Sequence, residues 1–429
     1  MLPTSPPVSA GPPPWTCPFC PLLCDDRRPE ATGCPKAQSA LAGLQAMPAA
    51  QARVDGREVA LDEALAVAAA RLEAAGQALL GGWGCDVDGA RALVRLAQRL
   101  GAVVDVGTAA GEPLAQGLRA LQDRGSFTTT LAEIRERADL IVSLGSAVTA
   151  SAPRLVERLL AGRGEAGRAP RPAWIHVGRD AERPAGAEAE LLALPGGADD
   201  LPDLLVQLHL ELGDKAEAAR AATPPDVRAL AARMRAARYV ALLWEPSKLG
   251  AQAALPIERL THLLMRLNRV TRAAALPVSG GDGAMTAQYV HAWMTGQPLR
   301  SRHALAPDGG GRAVPEHDGR RFGAARLLAD GAVDALLWVA CLAPQDVPAA
   351  PVRVVIGPAA LVTGGHLGDE AGTVFLPAGV PGWDHGGHLF RVDGSVLMPL
   401  HAAGGRAAPP AAAQVLALLE RLGAGRAAA

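Results

Sequence analysis

From about residue 60 onward, short and almost purely apolar runs alternate with longer stretches whose apolar residues recur every three or four positions. The first pattern suits strands buried on both faces, the second helices with one apolar face. QALLGGWG (77–84) predicts a strand between helices at 61–75 and 89–101, and AVVDV (102–106) predicts the next strand. Helix LAEIRERA, strand DLIVSLG (139–145), helix PRLVERLLAG and strand AWIHVG (173–178) continue the series. Strands separated by helices pair in parallel, with helices on both sheet faces, so the expected class is a doubly wound, Rossmann-like α/β fold.

After a polar loop at 161–172, helices at 199–212 and 225–237 lead to strand YVALLWE (239–245). Helix IERLTHLLMRLNRV, strand AAALPV, helices TAQYVHAWMTG and AARLLADG, and strands ALLWVA and PVRVVIG repeat the alternation. The expected organisation is a disordered Pro-rich leader at 1–14, a cysteine module at 15–58, a first α/β domain at 59–214 and a second at 215–400. A tail with one helical stretch, AAQVLALLERLG, occupies 401–429. Two such units imply a crevice between them, where α/β proteins bind ligands.

A chain of 429 residues with 49% hydrophobic and 20% charged residues has room for two or three folded domains. A formal net charge of -1 supplies no field for a nucleic-acid backbone. Gly, Pro, Arg or Asp interrupts every apolar run before the roughly 20 residues a membrane helix needs. The Pro-rich start lacks the charged and apolar regions of a secretory signal, so the cytoplasm is the expected compartment. There, clustered cysteines usually hold metal.

Such a cluster opens the ordered part of the chain. Cys17, Cys20, Cys24 and Cys34 lie in CPFCPLLCDDRRPEATGC, with two, three and nine residues between them. Four closely spaced thiolates suit a 4Fe-4S cluster or a structural zinc ion, and the two-then-three spacing favours iron and sulfur. Lys36, one of only three lysines, follows two residues after the last thiolate. Cys85 and Cys341 each end a strand and read as small core residues. GGWGCDVDG has the wrong glycine spacing for a dinucleotide loop and reads as a tight strand-to-helix turn. Asp384, His385 and His388 in GWDHGGHLFRVDG resemble a metal triad, but their glycine neighbours favour a polar turn-rich loop. His366 reads in the same way. No GxSxG, HExxH or Walker-type loop is present.

The CPFCPLLCDD opening resembles the B subunit of formylmethanofuran dehydrogenases, within the molybdopterin oxidoreductase group. The likeness extends through RADLIVSLGS, LPVSGGDGAMTAQYVHAWMTGQP, LLADGAVDALLWVA and TVFLPAGVPGWDHGGHLFRVDG, nearly all of the chain past residue 15. It implies a 4Fe-4S cluster on Cys17, Cys20, Cys24 and Cys34, with Lys36 between that cluster and a pterin. Redox-active members bind Mo or W through a cysteine or selenocysteine after the second strand of the first α/β domain. Here that place reads VGTAAGEP, with Ala109 and Ala110 where the ligand and its neighbouring His would stand.

Without the thiolate, the resemblance points to the related B subunits of bacterial formyltransferase/hydrolase complexes. It implies a noncatalytic, architectural subunit in tetrahydromethanopterin-linked formaldehyde oxidation to formate, with the Mo/W-pterin absent. Its implied partners are an amidohydrolase-like A subunit, a C subunit and a formyltransferase D subunit, with neither nucleic acid nor membrane. One alternative is an active Mo/W-pterin formylmethanofuran or formate dehydrogenase subunit, and another is a zinc-stapled binding protein unrelated to one-carbon metabolism.

Overall fold

A computed structural model describes all residues except 1–14, 109–110, 167, 214–222, 250–252, 280, 305–313, 344, 405–407 and 428–429. The leader therefore lies outside the described residues. Four strands come first: β1 (Ala52–Val54), β2 (Arg57–Val59), β3 (Ala78–Gly84) and β4 (Val103–Val104). Then come β5 (Leu140–Leu144), β6 (Ala173–Gly178), β7 (Glu190–Ala193), β8 (Tyr239–Trp244) and β9 (Arg272–Pro277). The series ends with β10 (Ser301–Arg302), β11 (Glu316–His317), β12 (Ala335–Ala340), β13 (Val352–Gly357), β14 (Thr373–Pro377), β15 (Gly387–Phe390) and β16 (Leu397–Leu400).

These strands form a five-stranded sheet in the order β7-β6-β5-β8-β9 and a nine-stranded sheet in the order β11-β10-β4-β3-β12-β13-β14-β1-β2, with β15–β16 as a separate hairpin. The smaller sheet is wholly parallel. The larger has a parallel centre from β4 to β14, flanked by antiparallel strands that protect both edges. Strands β3, β5, β8 and β12 are buried along their whole lengths, as strands covered by helices on both faces must be. The α/β class read from the sequence is the class observed.

The domain boundary differs. Strands β1–β4 precede the smaller sheet in the chain and β10–β14 follow it, yet all of them join one sheet. The cut at residue 215 therefore passes through the five-stranded sheet, between β7 and β8. Hydrophobic period reports the type of an element and not its partner, so the pairing of Leu336 on β12 with Leu79 on β3 has no local signature. The C-terminal stretch also does more than trail: Val415, Leu416 and Leu419 of helix Ala412–Ala427 are fully buried in the core of the larger sheet.

Helix Val87–Leu100 exemplifies how sequence sets an element. The Asp86 carboxylate accepts the Gly89 N–H at 3.0 Å at its start, and Gly101 ends it with φ +62. Ala90, Leu93, Val94 and Ala97 form its buried stripe. The GGWG run just before it belongs to β3 itself, where the register against β12 shifts between Trp338 and Ala340. Gly82 has φ +77 there, and a Cβ would stand 2.4 Å from the Val339 carbonyl oxygen, so this bulge requires glycine.

Candidate functional site

The four cysteines come together through one tight loop and one helix start. Cys17 donates its backbone N–H to the Cys24 carbonyl at 2.9 Å, and Leu23 donates to the Cys20 carbonyl at 3.3 Å. Cys34 stands in extended conformation as the N-cap of helix Pro35–Ala46. All four side chains are buried. Burial pushes the Cys17 thiol up to about 12, against a hydrogen bond from the Phe19 backbone, and Cys20, Cys24 and Cys34 act on it electrostatically. Burial also pushes Cys24 up to about 11, opposed in part by Arg154 and Arg158. Cys20 is raised by burial too, opposed by the Leu22 backbone and then by the Lys36 cation. Lys36 donates from Nζ to the Ser151 carbonyl at 3.1 Å. Among the described residues, no three His, Cys, Asp or Glu side chains are arranged to hold a single metal ion.

The cysteine segment is clasped by distant parts of the chain. Trp15 donates its indole N–H to the Gly382 carbonyl at 2.9 Å, and Val392 donates its backbone N–H to the Pro21 carbonyl at 2.9 Å. Arg154, itself buried, forks onto Asp26 at 2.7 and 2.6 Å and also pairs with Glu157. Arg158 adds contacts to Asp25 and Asp26, both at 3.3 Å. The loop from Cys24 to Cys34 is thereby fastened to helix Leu155–Leu160 of the smaller sheet's unit.

The other residues singled out in the sequence lie elsewhere. Cys85 and Cys341 are buried at the carboxyl ends of the adjacent strands β3 and β12, where burial raises both thiols. Asp384 accepts the Val380 N–H at 2.9 Å. His385 Nδ1 stands 2.7 Å from the Gly386 carbonyl, and His388 is exposed on β15. His366 Nδ1 meets Asp346 at 2.8 Å on the surface. Ala109 and Ala110 lie outside the described residues.

Two further groupings escape a linear reading. Arg300, held at φ +63, is buried between Asp105, at 3.4 Å, and Glu112, at 2.6 Å. The only sequence hint is a carboxylate inside the apolar run AVVDV. Close to Trp83, His291 and His303 are both buried, with their Nε2 atoms 3.1 Å apart.

No protein-family model matches the chain. The Fhc B subunit of the formyltransferase/hydrolase complex from Methylorubrum extorquens is 32% identical over 352 residues, which cover 79% of this chain and 87% of the relative. A chain in the crystal structure of the Methylorubrum extorquens formyltransferase/hydrolase complex FhcABCD, solved with methylofuran, superposes with a TM-score of 0.70 at 29% identity. That match covers 88% of this chain and 100% of the other. With so much of both chains aligned at this identity, the protein belongs to the family of formyltransferase/hydrolase complex B subunits.

Proposed function

We propose that the chain is a noncatalytic, structural B subunit of a formyltransferase/hydrolase complex in tetrahydromethanopterin-linked oxidation of formaldehyde to formate. Its partners are an amidohydrolase-like A subunit, a C subunit and a formyltransferase D subunit, and the complex works in the cytoplasm. The observation that carries the reading is the likeness to an Fhc B subunit over most of both chains, supported by the fold's match to a chain of an assembled FhcABCD complex. Two sequence features support a structural role: methyl side chains at Ala109 and Ala110, where redox-active relatives place a metal thiolate, and the absence of a hydrolase or phosphate-loop motif. The Mo/W-pterin is absent in this reading.

The cysteine module is proposed to hold a 4Fe-4S cluster on Cys17, Cys20, Cys24 and Cys34. The residue types suit such a cluster: four thiols lie buried, with Lys36 acting on Cys20 and Arg154 and Arg158 acting on Cys24. These cations offset the charge that four thiolates carry. A cluster there supplies folding free energy by crosslinking the loop to the helix start. No helix among the described residues is long and apolar enough to cross a membrane, in keeping with the proposed compartment.

Affinity purification of the tagged chain from its native cells tests the assembly. Recovery of an amidohydrolase-like subunit and a formyltransferase, with neither Mo nor W by elemental analysis, is the expected result. Isolation of the chain without them, or with one Mo or W per chain and formate-oxidising activity, overturns it.

A further inference from the structure

The five-stranded sheet is wholly parallel, so the residues that lead into its strands all lie along one edge. The register sets their order: Ala173 of β6 and Val240 of β8 flank Leu140 of β5, and Arg272 of β9 stands beside Tyr239 of β8. Arg171 before β6, Arg137 before β5, Arg238 before β8 and Arg272 at the start of β9 therefore follow one another across the sheet. With neighbouring strands ~4.8 Å apart, the row is about 15 Å long. Arg269 and Val270, the latter 57% exposed, sit in the turn that enters β9.

Part of the positive charge at this edge serves the fold. Helices Leu131–Arg137, Pro225–Ala236 and Ala254–Leu267 end here, and cations favour a helix carboxyl terminus. Arg163 donates to the Arg135 carbonyl at 2.8 Å, and Arg235 donates to the Glu211 carbonyl. Arg171, Arg238, Arg269 and Arg272 lie outside every helix and cap nothing. The carboxylates beside the row are too few to neutralise it. Asp139 accepts the backbone N–H groups of Arg238 and Tyr239, both at 2.9 Å, and Glu136 is taken by Arg135 at 3.0 Å. Glu133 is shared by Arg272 at 3.8 Å and Arg137 at 3.9 Å. The side chains of Arg238, Arg137 and Arg272 remain 83%, 72% and 55% exposed. Among the described residues, no ion pair engages Arg171 or Arg269.

The opposite edge reverses the balance. In the loops that leave β6 and β7, Asp180, Glu182, Asp199 and Asp200 outnumber Arg179 and Arg183. A chain that was merely rich in arginine would carry it on both edges alike, so the segregation marks one edge for an anionic partner. About 15 Å is the length of roughly ten residues of helix, which suits one acidic helix or loop. The formal net charge of -1 gives a nucleic acid or an anionic lipid surface no long-range attraction.

We propose that this arginine row docks an acidic face of a neighbouring subunit in the formyltransferase/hydrolase complex, with Val270 in contact at its end. The inference rests on the reading of the chain as a subunit of that complex. Guanidinium groups fork onto carboxylates, and the repulsion along the row is relieved when a partner's carboxylates arrive.

The test exchanges Arg269 for the photo-crosslinking residue p-benzoylphenylalanine in the tagged full chain and irradiates the complex that copurifies with it. The expected product is a crosslink, located by mass spectrometry, to a peptide rich in Asp and Glu in another subunit of the complex. A crosslink to a peptide without clustered acids, to nucleic acid or lipid, or to no molecule overturns the proposal. The variant Arg171→Glu/Arg238→Glu/Arg272→Glu is expected to keep the wild-type circular dichroism and to recover that subunit about tenfold less, whereas Arg171→Lys/Arg238→Lys/Arg272→Lys stays within about threefold of the wild type. The control Arg57→Glu/Arg326→Glu reverses two exposed charges of the larger sheet's unit and is expected to recover the subunit as the wild type does. Should the triple Glu variant unfold, the crosslink decides, since it leaves those three arginines in place. Undiminished recovery by the folded triple Glu variant, or an equal loss in the control, overturns the docking surface and leaves the assembly reading intact. A wild-type chain that recovers no other subunit overturns the assembly reading, and this inference with it.

Discussion

Acidification is expected to destabilise this fold through the His291–His303 pair. The hydrogen bonds dictate the tautomers: His291 donates from Nδ1 to the Gln297 carbonyl at 2.8 Å, so its Nε2 is the acceptor for the His303 Nε2–H. His303 Nδ1 is then a buried lone pair without a partner. Burial draws His291 down to about 4, opposed by the Gln297 bond and reinforced by His317, and it draws His303 down to about 3, reinforced by His291. Among the described residues, no carboxylate is among the charges acting on either ring. In the unfolded chain both imidazoles titrate near 6.5, so below that pH the unfolded state binds more protons than the folded one. Stability is complete above pH 6.5 and falls as pH drops toward the folded values.

At pH 5 each ring contributes about 2 kcal/mol to this loss, or about 4 kcal/mol for the pair relative to pH 8. That is a large part of the 5–15 kcal/mol by which domains are typically stable. Urea unfolding at both pH values, on the wild type and on His303→Phe, reads the effect as a difference of differences. Carboxylates elsewhere titrate equally in the two proteins and cancel. The variant is less stable at both pH values, but its loss between pH 8 and pH 5 is expected to be smaller than the wild type's by about 2 kcal/mol. Equal losses in the two proteins would refute the neutral, buried pair.

Two further changes probe the metal module and the buried ion group. Replacing Cys17 or Cys34 by Ser is expected to abolish bound iron, acid-labile sulfide and the broad visible absorbance of anaerobically purified protein, whereas Cys85→Ser leaves all three in place. Arg300→Met strands the buried Asp105 carboxylate and is expected to cost about 3–5 kcal/mol in denaturant unfolding. The double variant Arg300→Met/Asp105→Leu is expected to recover most of that loss.

Much of the element order was legible because the central strands are buried on both faces and their helices on one. The run ALLWVA is β12 residue for residue, and YVALLWE departs from β8 only at Glu245. What escaped depends on contacts distant in sequence. Strands β10 and β11 have two residues each and exist because Ser301 lies beside Val104 and His317 beside Ser301. Helix Gly111–Arg124, with Gly111, Gly117 and Pro113 near its start and middle, offers a weak local signal. The cysteines were visible as a spacing, but their clasp was not: no periodicity in CPFCPLLC foretells that Trp15 reaches Gly382 or that Arg154 holds Asp26.

That clasp ties the cysteine module to both α/β units in a chain whose segment directly after β4, VGTAAGEP, carries no cysteine. The segment touches the smaller sheet's unit through Arg154 and Arg158 and the late loops of the larger sheet's unit through Gly382 and Val392. Breaking its fold releases both attachments at once. Four buried thiols at such a junction are placed to help fix how two α/β units sit against each other. A protein whose task is to present a rigid surface to neighbouring subunits gains from that fixation whether or not any electron passes. A structural role for Cys17, Cys20, Cys24 and Cys34 therefore does not depend on a metal thiolate at sequence positions 109 and 110, which are both alanine.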